Sequence, residues 1–245
     1  MIVGFVGSGN MAAAIARGWK GEFERMLFSD SGSGRARALA EELGGEVASN
    51  GEIATGADFV LLAVKPAALD GVAPDLSAAE RIVSVLAAVP VDRLRAAFPG
   101  AEVLRTMPNV GVEVRRGVLC VAGEAAPQVR AKLDLLGRVV EIADADFDAA
   151  TAVMGCAPAY FALAVEAIAA AGAADGLDPG LARELVVETA AGTAELLRSW
   201  DPAELRKAVA SPGGSTEAGL EALDREGAAA AFEAAVRASL ERMRR

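Results

Sequence analysis

The residues with the clearest chemical potential form a glycine-rich turn near the start of the chain, Gly7-Ser8-Gly9-Asn10-Met11-Ala12. Gly7 permits a tight reversal of the chain, and Gly9 has no side chain to keep a phosphate away from the backbone. Ala12 is small enough for a helix to pack closely on a preceding strand, and the first turn of that helix offers free N–H groups to an anion. The turn therefore predicts a site for the pyrophosphate of a dinucleotide.

The segments around this turn have the order that such a site requires. The apolar run Ile2–Val6 predicts a buried parallel strand, and Met11–Lys20 predicts a helix. The next predicted strand, Met26–Ser29, leads to Asp30, near the offset at which an acid binds the adenosine ribose in NAD sites. The serines and the arginine between positions 29 and 35 would instead suit a 2′-phosphate. A flexible loop is the third interpretation of residues 31–34.

Strands and helices alternate over residues 1–145, which predicts a mostly parallel, doubly wound sheet of the Rossmann type in an α/β domain. Phe59–Val64 is the clearest buried strand, and its end at Lys65-Pro66 belongs at the cofactor, because ligands bind beyond the carboxyl ends of such strands. The other predicted strands are Glu46–Ala48, Arg81–Leu86, Glu102–Thr106, Gly117–Val121 and Val139–Ile142, and the predicted helices include Arg35–Leu43, Val91–Ala97 and Pro127–Leu136.

Residues 146–245 contain no strand-like run and predict an all-α C-terminal domain. The predicted helices are Tyr160–Ala174, Pro179–Arg198, Pro202–Ala210, Thr216–Asp224 and Ala228–Arg244. Residues 160–173 are apolar nearly all round, so we expect this helix to be buried, which about 100 residues of helix cannot achieve alone. The pattern therefore predicts a homo-oligomer. The hydroxyl of Tyr160 is expected to find a backbone partner.

Composition narrows the function further. The net charge of −10 argues against nucleic acid or an anionic membrane as a partner. No run of about 20 apolar residues and no cationic leader is apparent, so we expect a cytoplasmic protein. Two distant cysteines predict reduced thiols and no metal site. The absence of histidine excludes a Ser-His-Asp triad, so the chemistry must proceed without a strong protein acid near neutral pH.

Two further motifs carry a family resemblance. Arg105-Thr106-Met107-Pro108-Asn109 follows a predicted strand, and Ser211-Pro212-Gly213-Gly214-Ser215-Thr216 joins two predicted helices. Together with the N-terminal turn, Ala63-Val64-Lys65-Pro66 and Pro158-Ala159-Tyr160, they make the chain resemble the pyrroline-5-carboxylate reductase family over nearly its whole length. The resemblance implies hydride transfer from NAD(P)H to C5 of 1-pyrroline-5-carboxylate, an imino acid, giving L-proline. It also implies dimers formed through the C-terminal helices.

The resemblance also implies site residues. The cofactor, NADP by preference with NAD left open, would contact Val6, Gly7, Ser8, Gly9, Asn10, Met11, Ser29, Asp30, Asn50, Ala63, Val64, Lys65, Pro66, Met107 and Asn109. The substrate carboxylate would be bound by Ser211, Gly213, Gly214, Ser215 and Thr216, with the Thr216 hydroxyl, the candidate catalytic group, beside the imine nitrogen. From the residues alone, the Gly-Gly loop suits a small anion, and the alternative is a plain turn with Ser215 as N-cap.

One departure keeps other functions open. The family commonly has Ser-Gly-Ser-Gly where this chain has Met154-Gly155-Cys156-Ala157, which makes the predicted pocket less polar. A related reductase of another cyclic imine or small keto compound is therefore the second hypothesis. A non-catalytic dimer that senses NAD(P) is the third.

Overall fold

The computed structural model describes residues 1–244 and contains one sheet in its N-terminal part. The strands are β1 (Ile2–Val6), β2 (Arg25–Ser29), β3 (Glu46–Val47), β4 (Phe59–Leu62), β5 (Arg81–Ser84), β6 (Glu102–Pro108), β7 (Gly117–Gly123) and β8 (Gly137–Glu141). Their order is β3-β2-β1-β4-β5-β6-β7-β8, and all neighbours are parallel except β6 and β7. This arrangement confirms the predicted doubly wound sheet. The strand order reverses between β1 and β4, where such sheets bind their ligands.

Within the described residues, six α-helices lie between strands of the sheet, and a seventh follows the last strand. They are α1 (Asn10–Gly18), α2 (Arg35–Leu43), α3 (Asn50–Gly56), α4 (Leu69–Val72), α5 (Val91–Ala97), α6 (Pro127–Asp134) and α7 (Phe147–Ala150). The sheet has an apolar cluster on each face: Phe59 and Leu61 belong to one cluster, while Val60 and Leu62 belong to the other. Because alternate residues of a strand point to opposite faces, a strand covered on both sides must be apolar throughout. This explains the uninterrupted apolar run in β4.

Several element boundaries differ from those predicted. β4 ends at Leu62 and not at Val64, because the chain leaves the ladder after the Ala63 N–H donates to the Val6 carbonyl at 2.8 Å. Antiparallel pairing with β7 extends β6 beyond Thr106 to Pro108, which lies opposite Leu119. The apolar pattern of β7 is the same as that of its parallel neighbours, so the pattern does not indicate the direction of this strand.

The contacts divide the chain into two compact units, Met1–Gly155 and Cys156–Glu241. The second unit is formed by α8 (Ala157–Ala174), α9 (Pro179–Leu196), α10 (Pro202–Val209), α11 (Ser215–Arg225) and α12 (Ala228–Met243). The predicted all-helical C-terminal domain is confirmed. The domain division after residue 145 stays a prediction; in the structure a π-helical turn, Thr151–Gly155, follows α7 at the end of the first unit.

Helix α8 is exposed in the single chain. It buries none of its residues, and Phe161 and Leu163 are 70% and 64% exposed. The expected burial of this helix therefore needs a surface that one chain does not supply. The helical stretch Asp144–Ala174 is also long and apolar enough to cross a membrane by length and composition, so the expectation of no such run was wrong.

Tyr160 is tied to the last helix by its hydroxyl. The Oη atom lies 2.7 Å from Ser239 Oγ and donates to the Ala235 carbonyl at 3.3 Å. The predicted backbone partner is thus present, and it joins α8 to α12 within the second unit.

Candidate functional site

A cleft of about 440 Å³ lies at the carboxyl ends of β1, β2 and β4 in the first unit. It is lined by Val6, Gly7, Ser8, Gly9, Ser29, Asp30, Ser31, Ser33, Arg35, Asn50, Ala63, Val64, Lys65, Ala68 and Val72. Most of the predicted cofactor contacts are brought together here. Asn10, Met11, Pro66, Met107 and Asn109 are not among the lining residues.

The turn after β1 fits a pyrophosphate. Gly7 has a φ of +95°, and a Cβ atom at this position would lie 2.6 Å from the Ala63 carbonyl oxygen, so only glycine is accommodated. A Cβ atom on Gly9 would meet no protein atom within 4 Å, which leaves the space beside its backbone open to a ligand. Helix α1 starts with no side-chain cap, and Ala12 in its first turn is fully buried. Its first N–H groups are therefore available to an anion.

Three polar side chains in the wall of the cleft already bond to the protein. Ser8 Oγ donates to the Ser29 carbonyl at 2.9 Å, and Ser29 Oγ donates to Asn50 Oδ1 at 2.7 Å. The Asn50 amide in turn donates to Asp75 at 3.3 Å. These hydrogen bonds fix the shape of the wall, so the side chains of Ser8, Ser29 and Asn50 support the site more than they bind a ligand.

The loop after β2 closes around Asp30. Its carboxylate accepts hydrogen bonds from the N–H groups of Gly32 and Ala36, at 2.7 and 2.9 Å, and from Ser33 Oγ at 2.8 Å. These donors, the Ala36 N–H above all, hold the pKa of Asp30 below its usual value, although partial burial acts in the opposite direction. Asp30 is therefore a carboxylate whose oxygens are already engaged.

The end of β6 lies outside this cleft. Met107 is buried and pairs with Cys120 of β7. Asn109 accepts from the Val118 N–H and donates to the Met154 carbonyl in the π-helical turn, both at 3.2 Å. The usual helical partner of the Met154 carbonyl would be the N–H of residue 158, which is a proline and has none, and Asn109 supplies a donor in its place. The predicted contacts of Met107 and Asn109 with the cofactor find no support from the cleft and stay predictions.

The Ser211–Thr216 loop of the second unit differs in detail from the loop that was predicted. Gly214 is the N-cap of α11 and Ser215 its first residue, so the alternative with Ser215 as N-cap was wrong. The Gly213 N–H donates to Glu217 Oε2 at 2.7 Å, and the Gly214 N–H donates to the Ser211 carbonyl at 2.9 Å. Two of the expected backbone donors are thus used within this short loop.

The remaining donors of the loop are in the first turn of α11. Ser215 and Thr216 are exposed, and N–H groups in a first turn have no partner within the helix. Sequence reasoning gave no role to Glu217, whose position in that turn is the usual signal for a side chain that reaches back to the preceding backbone. A carboxylate of the chain itself therefore already bonds to the loop.

The thiols and acids give no sign of a metal centre in the part of the chain that is described. Cys120 and Cys156 are free, and burial raises the pKa of the Cys120 thiol. Within residues 1–244 no three acids or cysteines lie close enough together to hold a metal ion.

Two family models match the chain. Residues 2–88 match a model described as NADP oxidoreductase, coenzyme F420-dependent, which covers the turn, the Asp30 loop and the Ala63–Pro66 segment. Residues 144–245 match a model described as pyrroline-5-carboxylate reductase dimerisation.

Whole proteins and solved structures resemble the chain from end to end. A pyrroline-5-carboxylate reductase of Synechocystis is 34% identical, with 98% of this chain and 96% of the relative covered. The structure of 1-pyrroline-5-carboxylate reductase from Streptococcus pyogenes has a TM-score of 0.89 and 31% identity, and covers 99% of this chain and 98% of its own. A Plasmodium falciparum pyrroline carboxylate reductase with NADP bound has a TM-score of 0.85 and 25% identity, covering 99% and 97%. With its dinucleotide cleft, its helical C-terminal unit and these relatives, the chain belongs to the pyrroline-5-carboxylate reductase family.

Proposed function

We propose that the chain reduces 1-pyrroline-5-carboxylate to L-proline with NADPH as the hydride donor. The observation that carries this proposal is the end-to-end similarity to reductases of that name, which includes both the dinucleotide cleft and the Ser211–Thr216 loop. Neither feature alone specifies the substrate, since a glycine-rich turn occurs in many dehydrogenases.

The cofactor is assigned to the cleft of the first unit. The N-terminus of α1 beside Gly9 would hold the pyrophosphate, and Arg35 and Lys65 supply positive charge along the wall. NADPH bound there supplies a hydride. The chain's own contribution is to orient the nucleotide and to exclude alternative positions, and the rigid hydrogen bonds of Ser8, Ser29 and Asn50 serve that purpose.

The substrate is assigned to the start of α11. The free N–H groups of Ser215 and Thr216 suit its carboxylate, and the Thr216 hydroxyl is the candidate partner of the ring nitrogen. An imine takes up a proton from solvent near neutral pH, so the protein need not supply one. This agrees with a chain that contains no histidine.

Cofactor oxidation with 1-pyrroline-5-carboxylate tests the function. We expect saturable turnover with this imino acid and little with cyclic imines that lack the carboxylate, because the loop would then have no anion to bind. Turnover only with another cyclic imine or a keto compound would favour the related reductase. NADPH binding without turnover on any of them would favour a nucleotide sensor.

We further propose that a second copy of the chain covers α8. A groove of about 540 Å³ between α8 and α9 is lined by Ala162, Val165, Glu166, Ala169, Ala170, Ala173, Pro179, Arg183 and Val187. A membrane would also suit an apolar helix, but Glu166 and Arg183 in the groove would have to lose their hydration there. The match of residues 144–245 to a dimerisation model supports a protein partner. The cytoplasmic location and the absence of nucleic-acid and membrane partners stay predictions.

Sedimentation should show a dimer or a multiple of dimers. The substitution Ile168→Asp should shift the association equilibrium towards the monomer. Burying a charge in an apolar interface costs several kcal/mol, about 100-fold or more in the dissociation constant. Val47→Asp is the matched control, since Val47 in β3 is 57% exposed and Ile168 is 59% exposed. A wild-type monomer at micromolar concentration, or dissociation by both variants alike, would contradict the proposed interface.

A further inference from the structure

The loop between β2 and α2 contains an acid at the position that selects NADH in many dinucleotide sites. A carboxylate there binds the two ribose hydroxyls of NAD and repels the 2′-phosphate of NADP. Asp30 occupies this position and lines the cleft, together with Ser31, Ser33 and Arg35. By residue type alone, Asp30 would favour NADH.

The hydrogen bonds of Asp30 point to another role. Oδ1 accepts from the Gly32 N–H, and Oδ2 accepts from both Ser33 Oγ and the Ala36 N–H. Ala36 lies in the first turn of α2, whose N-cap, Gly34, has no side chain. Asp30 therefore caps this helix from a distance and bridges the loop across Gly32 and Gly34, which have φ values of +91° and +79°.

This bonding leaves little of the carboxylate for a ribose. To bind a diol, both oxygens would have to accept from hydroxyl groups, in addition to or in place of three donors from the loop. The donors are neutral and stabilise the ionised form, so the negative charge of Asp30 remains and the Arg35 guanidinium has to offset its repulsion of a phosphate. The acid therefore loses the free acceptors by which it would bind the ribose diol of NADH.

Two exposed side chains beside Asp30, Ser31 in the loop and Arg35 at the start of α2, remain available to a ligand. Ser31 and Arg35 line the cleft, and within the described residues the Arg35 guanidinium has no carboxylate partner. A hydroxyl and a guanidinium are suitable ligands for a phosphate group. They flank the segment that Asp30 holds in place.

We propose that Asp30 is a positioning residue for NADPH: it holds the loop in the conformation in which Ser31 and Arg35 receive the 2′-phosphate, and it does not bind the ribose. This inference rests on the proposed cofactor site. It gives Asp30 a part in selecting NADPH, although an acid at this position would by its residue type be expected to select NADH.

The test is the dissociation constant of NADPH, NADH and adenosine 2′,5′-bisphosphate, measured by calorimetry without substrate for the wild type, Asp30→Ala, Asp30→Asn and Arg35→Ala. We expect Asp30→Ala to weaken the binding of NADPH and of the bisphosphate about 5- to 10-fold, which is the effect of losing one helix cap. The dissociation constant of NADH should change less than about twofold. Arg35→Ala should show the same selective loss. Asp30→Asn retains one of the two acceptor oxygens and should restore part of the affinity.

The opposite pattern would overturn the proposal. If Asp30 binds the ribose, Asp30→Ala and Asp30→Asn should both weaken the binding of NADH and strengthen the binding of NADPH. Retained NADH binding in Asp30→Ala shows that the cleft is folded. Hydrogen exchange should rise at both Gly32 and Ala36 in this variant and at only one of them in Asp30→Asn, whose amide has a single acceptor oxygen. Because no imine is present, these results are independent of whether the chain reduces 1-pyrroline-5-carboxylate.

Discussion

Gly9→Val is expected to abolish NADPH binding and to leave the chain folded. The Cβ atom at this position meets no protein atom, so the branched side chain fits the protein but stands where the pyrophosphate would lie. Losing two hydrogen bonds to a charged phosphate, at about 1.5–3 kcal/mol each, corresponds to at least about 100-fold in the dissociation constant. Calorimetry with NADPH measures this loss, and thermal unfolding checks the fold.

Two other glycines serve as controls. Gly100→Val, at an exposed site where a Cβ atom also meets nothing, should change neither binding nor stability by a large amount. Gly7→Ala should lower the free energy of unfolding, because its Cβ atom would collide with the Ala63 carbonyl oxygen. Undiminished NADPH affinity in a folded Gly9→Val variant would show that the pyrophosphate does not bind at this turn.

Thr216→Ala is expected to lower kcat/KM for the imine and to leave the dissociation constant of NADPH unchanged. Removing one hydrogen-bond partner at a polar site costs on the order of 1–3 kcal/mol, which is roughly 5- to 150-fold in kcat/KM. The loss should stay well below that of an obligatory acid, because the imine takes its proton from solvent. The pH profiles of the variant and of the wild type should therefore have the same shape.

Two further variants separate the hydroxyl from the volume of this side chain. Thr216→Ser retains the hydroxyl and should keep most of the activity, whereas Thr216→Val retains the shape and should behave like Thr216→Ala. If all three variants matched the wild type, the substrate would lie away from the Ser211–Thr216 loop, and the related reductase would become the better hypothesis.

The sheet and the turn could be predicted because their signals are local. The apolar run Ile2–Val6, the glycine spacing that follows and the alternation of strands and helices each depend on neighbouring residues. The antiparallel pairing of β6 and β7 has a different signal, the length of the connection between the strands. Only residues 109–116 join Pro108 to Gly117, too few for the crossover that parallel pairing requires.

The hydrogen-bond partners of the polar side chains could not be predicted from the sequence. Asp30, Asn109 and Glu217 are polar residues in or beside predicted motifs, and each has its hydrogen bonds with the protein. Residue type shows what a side chain can donate or accept, but only the fold shows whether a backbone group has already taken that capacity. For this reason the roles of the glycines of the cleft could be predicted from the sequence, whereas the role of its acid, Asp30, could not.

The exposed face of α8 has a consequence for how the protein behaves on dilution. In the proposed dimer each copy supplies the apolar surface that the other needs, so association stabilises the folded chain and the melting temperature rises with protein concentration. A newly synthesised chain that has not met its partner presents a stretch, Asp144–Ala174, that is 6% buried over its most apolar window. Chaperones and proteases recognise such surfaces, so the lifetime of an unpaired chain depends on how soon it meets a second copy.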